Sequence, residues 1–286
     1  MSSVINVRGL EKSYDANKAV AGIDLTIQSG EIFALLGPNG AGKTTTVEIL
    51  EGFRNRDRGE ISVLGVDPEV KGEAARIWRN RIGIVLQSTS DAGDLSVFET
   101  VSHFSKYYSN PRNVEEVIEA VGLSDKSTEL IRTLSGGQRR RLDVALGIIG
   151  SPELLFLDEP TTGFDPKARR AFWALIEDLR KSGTTILLTT HYLDEAEALA
   201  DRVAVINKGK IIEVSTPALL GGRATSLATV SWKGVNGPQS ERTDNPTALI
   251  RKLTETYADE IPELTVKRAS LEDIYLEMIG GADGEQ

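Results

Sequence analysis

The sequence predicts an α/β fold built on a largely parallel β-sheet, and two observations support this prediction. Up to about Pro217, short β-rich runs alternate with stretches of helical periodicity, which is typical of a parallel sheet covered by helices. Beyond Leu220 the texture changes to a short strand pattern followed by two helical patterns. We therefore predict a main domain over residues 1–221 and a small C-terminal α+β accessory domain over residues 222–286.

The strands of the parallel sheet are predicted from apolar segments that suit a buried strand and are too short for a helix. These segments are Ile32–Leu36, Ile82–Leu86, Leu154–Leu157, Thr185–Thr189 and Val203–Ile206. Val4–Val7 and Ala19–Ile27 precede them and predict an added antiparallel portion. The pattern from Val97 to Leu134 is helical, which predicts a helical subdomain over about residues 88–150.

End signals mark the helices that follow. Asp165-Pro166, a cap residue with proline in the first turn, predicts a helix that closes at Gly183. In the accessory domain we predict a strand over Leu227–Trp232, a turn at Asn236-Gly237-Pro238 and a helix over Thr247–Tyr257. The last helix is predicted to begin at Ser270, which opens a capping-box pattern with Leu271, Ile274, Tyr275 and Met278 on one face.

Composition narrows the possible functions. With 42 acidic against 33 basic residues the formal charge is −9, which argues against broad binding of nucleic-acid phosphates. The chain has no cysteine, so disulfides and cysteine-ligated zinc are excluded. No segment has the length and apolarity of a spanning helix, and the N-terminus has no secretory signal pattern. We expect a protein without its own membrane span.

One loop has the pattern G-x-x-x-x-G-K-[ST], which binds nucleotide phosphates. It follows the predicted strand Ile32–Leu36 and precedes a helical run from Thr45 to Leu50. Glycines allow backbone N–H groups to close around phosphates, and the helix N-terminus adds positive potential. We expect Lys43 to reach the β- and γ-phosphates and the Thr44 hydroxyl to bind Mg²⁺. The expected nucleotide-binding residues are Gly37, Pro38, Asn39, Gly40, Ala41, Gly42, Lys43, Thr44 and Thr45.

A pair of acidic residues ends the apolar strand Leu154–Leu157. A carboxylate at the end of a buried strand beside a phosphate loop is the usual second anchor for the metal, and Asp158 fits this role. Glu159 is one residue further on and should face the attacking water as a general base. An ordinary acidic turn after a strand is the alternative interpretation of this pair.

A second glycine-prefaced helix start lies at Leu134-Ser135-Gly136-Gly137-Gln138, ahead of a helix predicted over Arg139–Ile149. It is a second potential anion site. One nucleotide does not need two such sites from one chain, so we expect this one to serve the γ-phosphate of an ATP held by another subunit. A plain glycine turn before a basic amphipathic helix is the alternative interpretation. Arg139–Arg141 raise the alternative of nucleic-acid binding, but we expect them on a solvated helix face beside a phosphate site.

These motifs, with Gln87, Thr161–Asp165 and His191, occur in the order and approximate spacing of the ATP-binding cassette (ABC) ATPase family, which residues 4–215 resemble. The resemblance implies that Tyr14 stacks on adenine and that Gln87 touches Mg²⁺ and senses a membrane partner. It also implies that Asp165 communicates between subunits and that His191 contacts the γ-phosphate. Each has a structural alternative: Tyr14 as an edge aromatic, Gln87 as a surface residue, His191 as a satisfied structural histidine.

The resemblance also implies a P-loop NTPase-type fold, ATP and Mg²⁺ as cofactors, and partners. The partners are a second ATP-binding subunit, with a homodimer compatible with the intact motifs, and a polytopic membrane permease. The chain would then be cytoplasmic, at the inner face of the membrane. Arg140–Ala145, Glu51–Arg54, Val63–Pro68 and Ser270–Glu277 are similar to subunits of drug and antibiotic exporters, which implies export of a drug, antibiotic or lipid-like compound.

Two other functions are less compatible with the sequence. A cassette ATPase that acts on nucleic acid or the ribosome would carry long coiled coils, two cassettes or cysteine-rich zinc modules, and none of these patterns is present. A small-molecule kinase or GTPase would leave Leu134–Gln138 and His191 unexplained. For the permease contact we expect Leu95 and Phe98 to be partly exposed, as an unfilled contact surface, rather than part of the core.

Overall fold

A computed structural model describes residues 2–85, 93–234, 237–257 and 260–281 of the chain. The chain forms two compact units, residues 1–214 and residues 215–286. Neither unit contains, among the residues described, a helix that is both long and apolar enough to cross a membrane. The domain boundary after residue 221 remains a prediction.

The elements of the first unit alternate between strands and helices, as predicted. They are β1 (Ser3–Tyr14), β2 (Asn17–Gln28), β3 (Ile32–Leu36), α1 (Lys43–Leu50), β4 (Arg58–Val63), α2 (Gly72–Arg79), β5 (Ile82–Val85), α3 (Val97–Ser105), α4 (Val114–Ala120), two 3₁₀ turns (Ser124–Lys126 and Ile131–Thr133), α5 (Gly136–Ile148), β6 (Leu154–Asp158), α6 (Pro166–Lys181), β7 (Thr185–Thr190), α7 (Leu193–Leu199), β8 (Arg202–Asn207) and β9 (Lys210–Ser215).

A six-stranded sheet with the order β5-β6-β7-β3-β8-β9 forms the centre of this unit. The pairs from β5 to β8 are all parallel. Strands β3 and β7 are buried along their whole length, as expected for strands of a parallel sheet with both faces covered. The five predicted strands match β3, β5, β6, β7 and β8 to within one or two residues, except that Leu86 lies outside the described residues.

An antiparallel sheet with the order β2-β1-β4 forms the predicted added portion. Alternate residues of its strands are buried and join one core with residues of β3 and with Trp78. The Trp78 indole N–H donates to the Val63 carbonyl at 3.0 Å, so the largest buried side chain is also satisfied as a donor.

The predicted helical subdomain corresponds to α3, α4, α5 and the two 3₁₀ turns. Helix α5 starts three residues earlier than predicted, at Gly136 rather than Arg139. The reason is a capping box: the Ser135 hydroxyl accepts from the Gln138 backbone N–H, and the Gln138 side chain accepts from the Ser135 backbone N–H. The glycines after Ser135 therefore form the first turn of the helix.

The second unit consists of a 3₁₀ turn, a small sheet and two helices. Its elements are the turn Leu220–Thr225, β10 (Ala228–Gly234), β11 (Gly237–Thr243), α8 (Pro246–Thr256), β12 (Thr265–Lys267) and α9 (Leu271–Gly281). The sheet order is β11-β10-β12. The predicted turn at Asn236-Gly237-Pro238 is wrong in part, because Gly237 and Pro238 already pair with Gly234 and Lys233 in β11. Asn236 lies outside the described residues.

Candidate functional site

Sheet order brings the predicted site residues to one edge. Strands β6, β7 and β3 are neighbours, and their register pairs Asp158 with Thr189 and Leu36 with Thr190. The phosphate loop follows Leu36, Glu159 follows Asp158, and His191 follows Thr190. Three segments that are far apart in the sequence therefore leave the same carboxyl edge of the sheet, which is where open α/β sheets bind ligands.

Two glycines of the phosphate loop are required by close packing. A Cβ at Gly42 would lie 2.3 Å from the Ala19 carbonyl oxygen, and its φ of 106° is unfavourable for other residues. A Cβ at Gly37 would lie 2.4 Å from the Ile206 carbonyl oxygen. The loop thus runs against β2 and β8 in a conformation that only glycine permits at these points, and helix α1 starts directly after it at Lys43.

Lys43 is buried and folded back across the loop. Its ammonium group donates to the Gly37 carbonyl at 2.7 Å and to the Pro38 carbonyl at 3.2 Å. Burial lowers the pKa of Lys43, and the negative charges of Glu159 and Asp158 oppose this shift. The lysine therefore shares an electrostatic environment with both acids, which places a cation between the phosphate loop and the carboxylates.

Asp158 is held by its neighbour in the sheet and is only partly buried. The Thr189 hydroxyl makes a short hydrogen bond to Asp158 Oδ1, which fixes the carboxylate at the strand end. Thr44 is exposed at the start of α1. Within the described residues no cluster of three or more His, Asp or Glu side chains could hold a metal alone. The Asp158 carboxylate and the Thr44 hydroxyl are oxygen donors. Such donors suit Mg²⁺, which is usually bound by one or two carboxylates together with substrate phosphates.

Glu159 and His191 meet at the same edge. His191 Nδ1 lies 3.3 Å from Glu159 Oε1, with the glutamate side chain largely buried and the histidine partly exposed. The His191 ring packs on the Tyr192 ring with centroids 4.1 Å apart. The Arg169 guanidinium lies over the Tyr192 ring, 4.6 Å from its centroid. The two residues predicted to be catalytic are therefore adjacent, and the histidine has a defined orientation.

Known proteins are similar to this chain over nearly its full length. A family profile for ABC transporters matches residues 20–162. The daunorubicin/doxorubicin resistance ATP-binding protein DrrA of Streptomyces peucetius is 36% identical over 96% of this chain and 92% of its own length. The Nod factor export ATP-binding protein I of Ralstonia nicotianae is 35% identical over 97% and 94%. The chain belongs to the ABC transporter family.

The fold of the cassette agrees with this assignment. The solved structure of cbiO1 from Clostridium perfringens, described as part of the ABC transporter complex cbiONQ, superposes with a TM-score of 0.69. It is 27% identical and covers 76% of this chain and 90% of its own. The family and the P-loop fold predicted from the sequence are thereby confirmed, and the chain is an ATP-binding and ATP-hydrolysing subunit of this family.

The segment Leu134–Gln138, which we call the signature segment, is open on its own chain, and α5, which begins within it, is the signature helix. Ser135 and Gly136 are exposed. A Cβ built at Gly136 or Gly137 meets no atom within 4 Å in the part of the chain that the structure describes, leaving aside sequence neighbours and the helix backbone. Since Gln138 is engaged in the capping box, the free surface here is the glycine turn and the helix N-terminus. Space for a ligand or a second molecule therefore remains above it.

The remaining predicted residues have different surroundings. Tyr14 is exposed at the end of β1, with the Arg54 guanidinium 5.3 Å and the Lys12 ammonium 5.7 Å from its ring centroid. Asp165 caps α6, where its Oδ1 accepts from the backbone N–H groups of Lys167 and Ala168 at 2.8 Å. Gln87 lies outside the described residues. The roles of these three residues remain predictions.

Sequence reasoning missed two buried charged residues beside the site. Arg140 was expected on a solvated face of α5 and is instead only 7% exposed, with its guanidinium against the backbone of the Asp158–Pro160 segment. Glu195, in α7, is fully buried, and the Trp173 indole N–H donates to it at 3.4 Å. Burial raises the pKa of Glu195. Helical periodicity gave no signal for either residue, because both point inward from polar stretches.

A further buried residue, the acid Glu51, provides a test of the electrostatics. Glu51, at the end of α1, is 6% exposed, and burial, aided by the charges of Asp158 and Glu48, raises its pKa to about 8. The folded protein therefore holds a proton that the unfolded chain releases near pH 4.5. Stability from this group is fully present below pH 4.5 and is lost as the pH rises to about 8.

Glu51→Gln should therefore stabilise the nucleotide-free protein at high pH, because the neutral amide needs no proton. We expect the free energy of unfolding to rise by a few kcal/mol at pH 8.5 relative to wild type, with a difference near zero at about pH 4.5. Urea denaturation at both pH values measures this. Glu60→Gln, which changes an exposed carboxyl, is the control. An equal effect of Glu51→Gln at both pH values would contradict the buried, protonated glutamic acid.

Proposed function

We propose that this chain is the ATP-hydrolysing subunit of an exporter, and that ATP closes two such subunits into a dimer on a separate polytopic permease. The observation that supports this best is the open N-terminus of α5 at Ser135. The glycines after Ser135 face open space within the described part of the chain, so a partner has room to bind there. The same chain has Lys43, Asp158, Glu159 and His191 at one edge of its sheet. Each copy therefore has two different half-sites, and each half-site can pair with the other kind of half-site on a second copy.

The described residues fit a nucleotide with Mg²⁺. The Thr44 hydroxyl and the Asp158 carboxylate would hold the ion, and Gln87 is the third expected contact. When bound, Mg²⁺ would offset the negative charge that develops on the phosphates. Tyr14 would stack on adenine, with Arg54 and Lys12 close to its ring.

The chain's own residues would then divide the work of hydrolysis. Lys43 would leave the Gly37 and Pro38 carbonyls for the β- and γ-phosphates. Glu159 would accept the proton of the attacking water, since general bases act within hydrogen-bond reach of that proton. His191 would orient Glu159 across their 3.3 Å contact and face the γ-phosphate. Ser135 and the glycines after it, from the partner copy, would close over the same phosphate.

Export is supported by relatives that match nearly the full length. The name of the Streptomyces peucetius relative refers to drug resistance, and the name of the Ralstonia nicotianae relative refers to export. Both alignments cover at least 96% of this chain and so extend into the C-terminal unit. We infer a drug, antibiotic or lipid-like compound as cargo. An adjacent gene for a polytopic membrane protein, without a gene for a soluble binding protein, is the observation that tests the direction of transport.

The permease would bind at the start of α3. Leu95 is 39% and Phe98 is 37% exposed, so the expectation that they lie partly outside the core is confirmed. Such apolar exposure on a protein that works with a membrane partner indicates a contact surface. The location that follows is cytoplasmic, at the inner face of the membrane, with no nucleic acid among the partners.

Replacing both Leu95 and Phe98 by Ser should uncouple the cassette from its permease. We expect binding of the purified protein to membrane vesicles from its own organism to fall about tenfold, since losing two apolar contacts that are only partly exposed removes about 1–2 kcal/mol of binding free energy. Co-sedimentation measures binding, and ATPase activity in solution should stay within about twofold of wild type. Ile212→Ser, at a position that is 41% exposed on β9, is the matched control. If ATPase activity falls together with vesicle binding, the two residues belong to the fold and not to a docking surface.

A further inference from the structure

Arg140 is a buried cation five positions beyond Ser135 in the same helix. Its side chain is 7% exposed. Burying a guanidinium costs free energy unless its N–H groups donate hydrogen bonds, so the acceptors of those hydrogen bonds indicate the role of Arg140. They lie in the segment that contains the catalytic glutamate.

The guanidinium bonds to the backbone on both sides of Glu159. Nη2 donates to the Asp158 carbonyl at 2.6 Å, and Nε donates to the Pro160 carbonyl at 3.1 Å. Nη1 also lies 3.9 Å from Asp143 Oδ2, one turn further along α5. The planar fork of arginine is suited to holding two acceptors at a fixed separation. Arg140 therefore holds the carbonyl groups of the residues directly before and after Glu159.

Glu159 needs such support, because its backbone is strained. Its φ is 46°, in the left-handed region that a residue with a side chain rarely adopts. Conformations of this kind cost about 1–3 kcal/mol and persist only where the surroundings hold them. On the opposite side the Glu159 N–H donates to the Thr189 carbonyl at 3.1 Å and to the Thr189 hydroxyl at 3.2 Å. Thr189 and Arg140 thus hold the residue from β7 and from α5.

We propose that Arg140 is a positioning residue that joins the signature helix to the catalytic glutamate of its own chain. Helix α5 has Ser135 at its N-terminus and Arg140 in its second turn, so the helix and the Glu159 segment move together. This inference rests on the proposed function, in which Ser135 contacts the ATP of the partner subunit. Closure on one nucleotide would then set the position of the glutamate that acts on the other.

The test separates positioning from nucleotide binding. Arg140→Met keeps the apolar stem and removes both donors. Arg140→Lys keeps the charge near Asp143 but replaces the fork by a single point of donation. Because misplacing a catalytic group by about 1 Å can cost 10²-fold in rate, we expect kcat to fall about ten- to a hundredfold. The KM for ATP should stay within about twofold of wild type. Arg141→Met and Arg141→Lys, at the next position of the same helix, should keep wild-type kcat.

A second measurement distinguishes this role from a general structural one. In the Glu159→Gln background, where ATP is held without turnover, Arg140→Lys should still form the ATP-dependent dimer in light scattering. Wild-type kcat in both Arg140 variants would overturn the inference, and so would loss of the dimer together with kcat. If Arg140→Met fails to fold, Arg140→Lys decides. A wild-type chain that neither dimerises nor hydrolyses ATP would instead overturn the proposed function.

Discussion

Glu159→Gln is expected to nearly stop ATP turnover while leaving ATP bound. The amide keeps the shape of the carboxylate and leaves Lys43 and Asp158 in place, but it cannot accept a proton from the attacking water. Loss of general-base assistance is worth about 10²–10⁴ in rate. His191, 3.3 Å from Glu159 Oε1, can still contact the amide oxygen, so the loss reflects proton transfer and not collapse of the site.

The trapped ATP should hold two copies together. Light scattering of Glu159→Gln should give a doubled mass with ATP and Mg²⁺ and a monomer mass with ADP. Lys43→Ala in the same background should stay monomeric, because removing the buried ammonium removes nucleotide affinity. Glu60→Gln, the same substitution at an exposed position of β4, should leave both turnover and the monomer mass with ADP unchanged. Turnover of Glu159→Gln at the wild-type rate would assign the general base to another residue.

The parallel sheet was predictable because its strands carry a strong signal. Runs such as Ile32–Leu36 and Leu154–Leu157 are apolar throughout and too short for a helix, which is typical of strands buried on both faces. Their carboxyl ends must meet at one edge, so the proximity of the phosphate loop, Asp158 and His191 follows from the order of motifs. The antiparallel portion was predicted from two segments, Val4–Val7 and Ala19–Ile27, although β1 extends to Tyr14, seven residues beyond the first of them.

Other features could not be predicted, because they depend on tertiary contacts. Arg140 stands in a run of three arginines, and periodicity does not show which of them faces the Asp158 and Pro160 carbonyls. The start of α5 was misplaced because glycine disfavours helix interiors, whereas the Ser135–Gln138 capping box stabilises a helix that begins with two glycines. The pKa of Glu51 depends on its burial and on the nearby charges of Asp158 and Glu48, and no local pattern indicates it.

Ser135→Arg is expected to leave ATP binding intact and to prevent the dimer. Ser135 is exposed and the glycines beside it face open space, so a long side chain can be accommodated in the monomer. The substitution also removes the cap of α5, at a cost of about 1 kcal/mol, which a domain of this size tolerates. In a closed dimer the arginine side chain would occupy the space that the γ-phosphate of the partner's ATP needs.

Ser135→Arg should therefore bind ATP with wild-type affinity and hydrolyse it at least about 10²-fold more slowly, the loss typical of removing one group that stabilises the transition state. Ser135→Arg combined with Glu159→Gln should keep a monomer mass with ATP. Thr133→Arg, which adds the same bulk and charge at another exposed position two residues earlier, should dimerise and hydrolyse normally. Ser135→Ala isolates the loss of the cap. A kinase or GTPase, complete within one chain, would be indifferent to Ser135. If Ser135→Arg hydrolyses ATP at the wild-type rate while it is still a monomer, one chain is sufficient for hydrolysis. That result would rule out a site shared between two subunits.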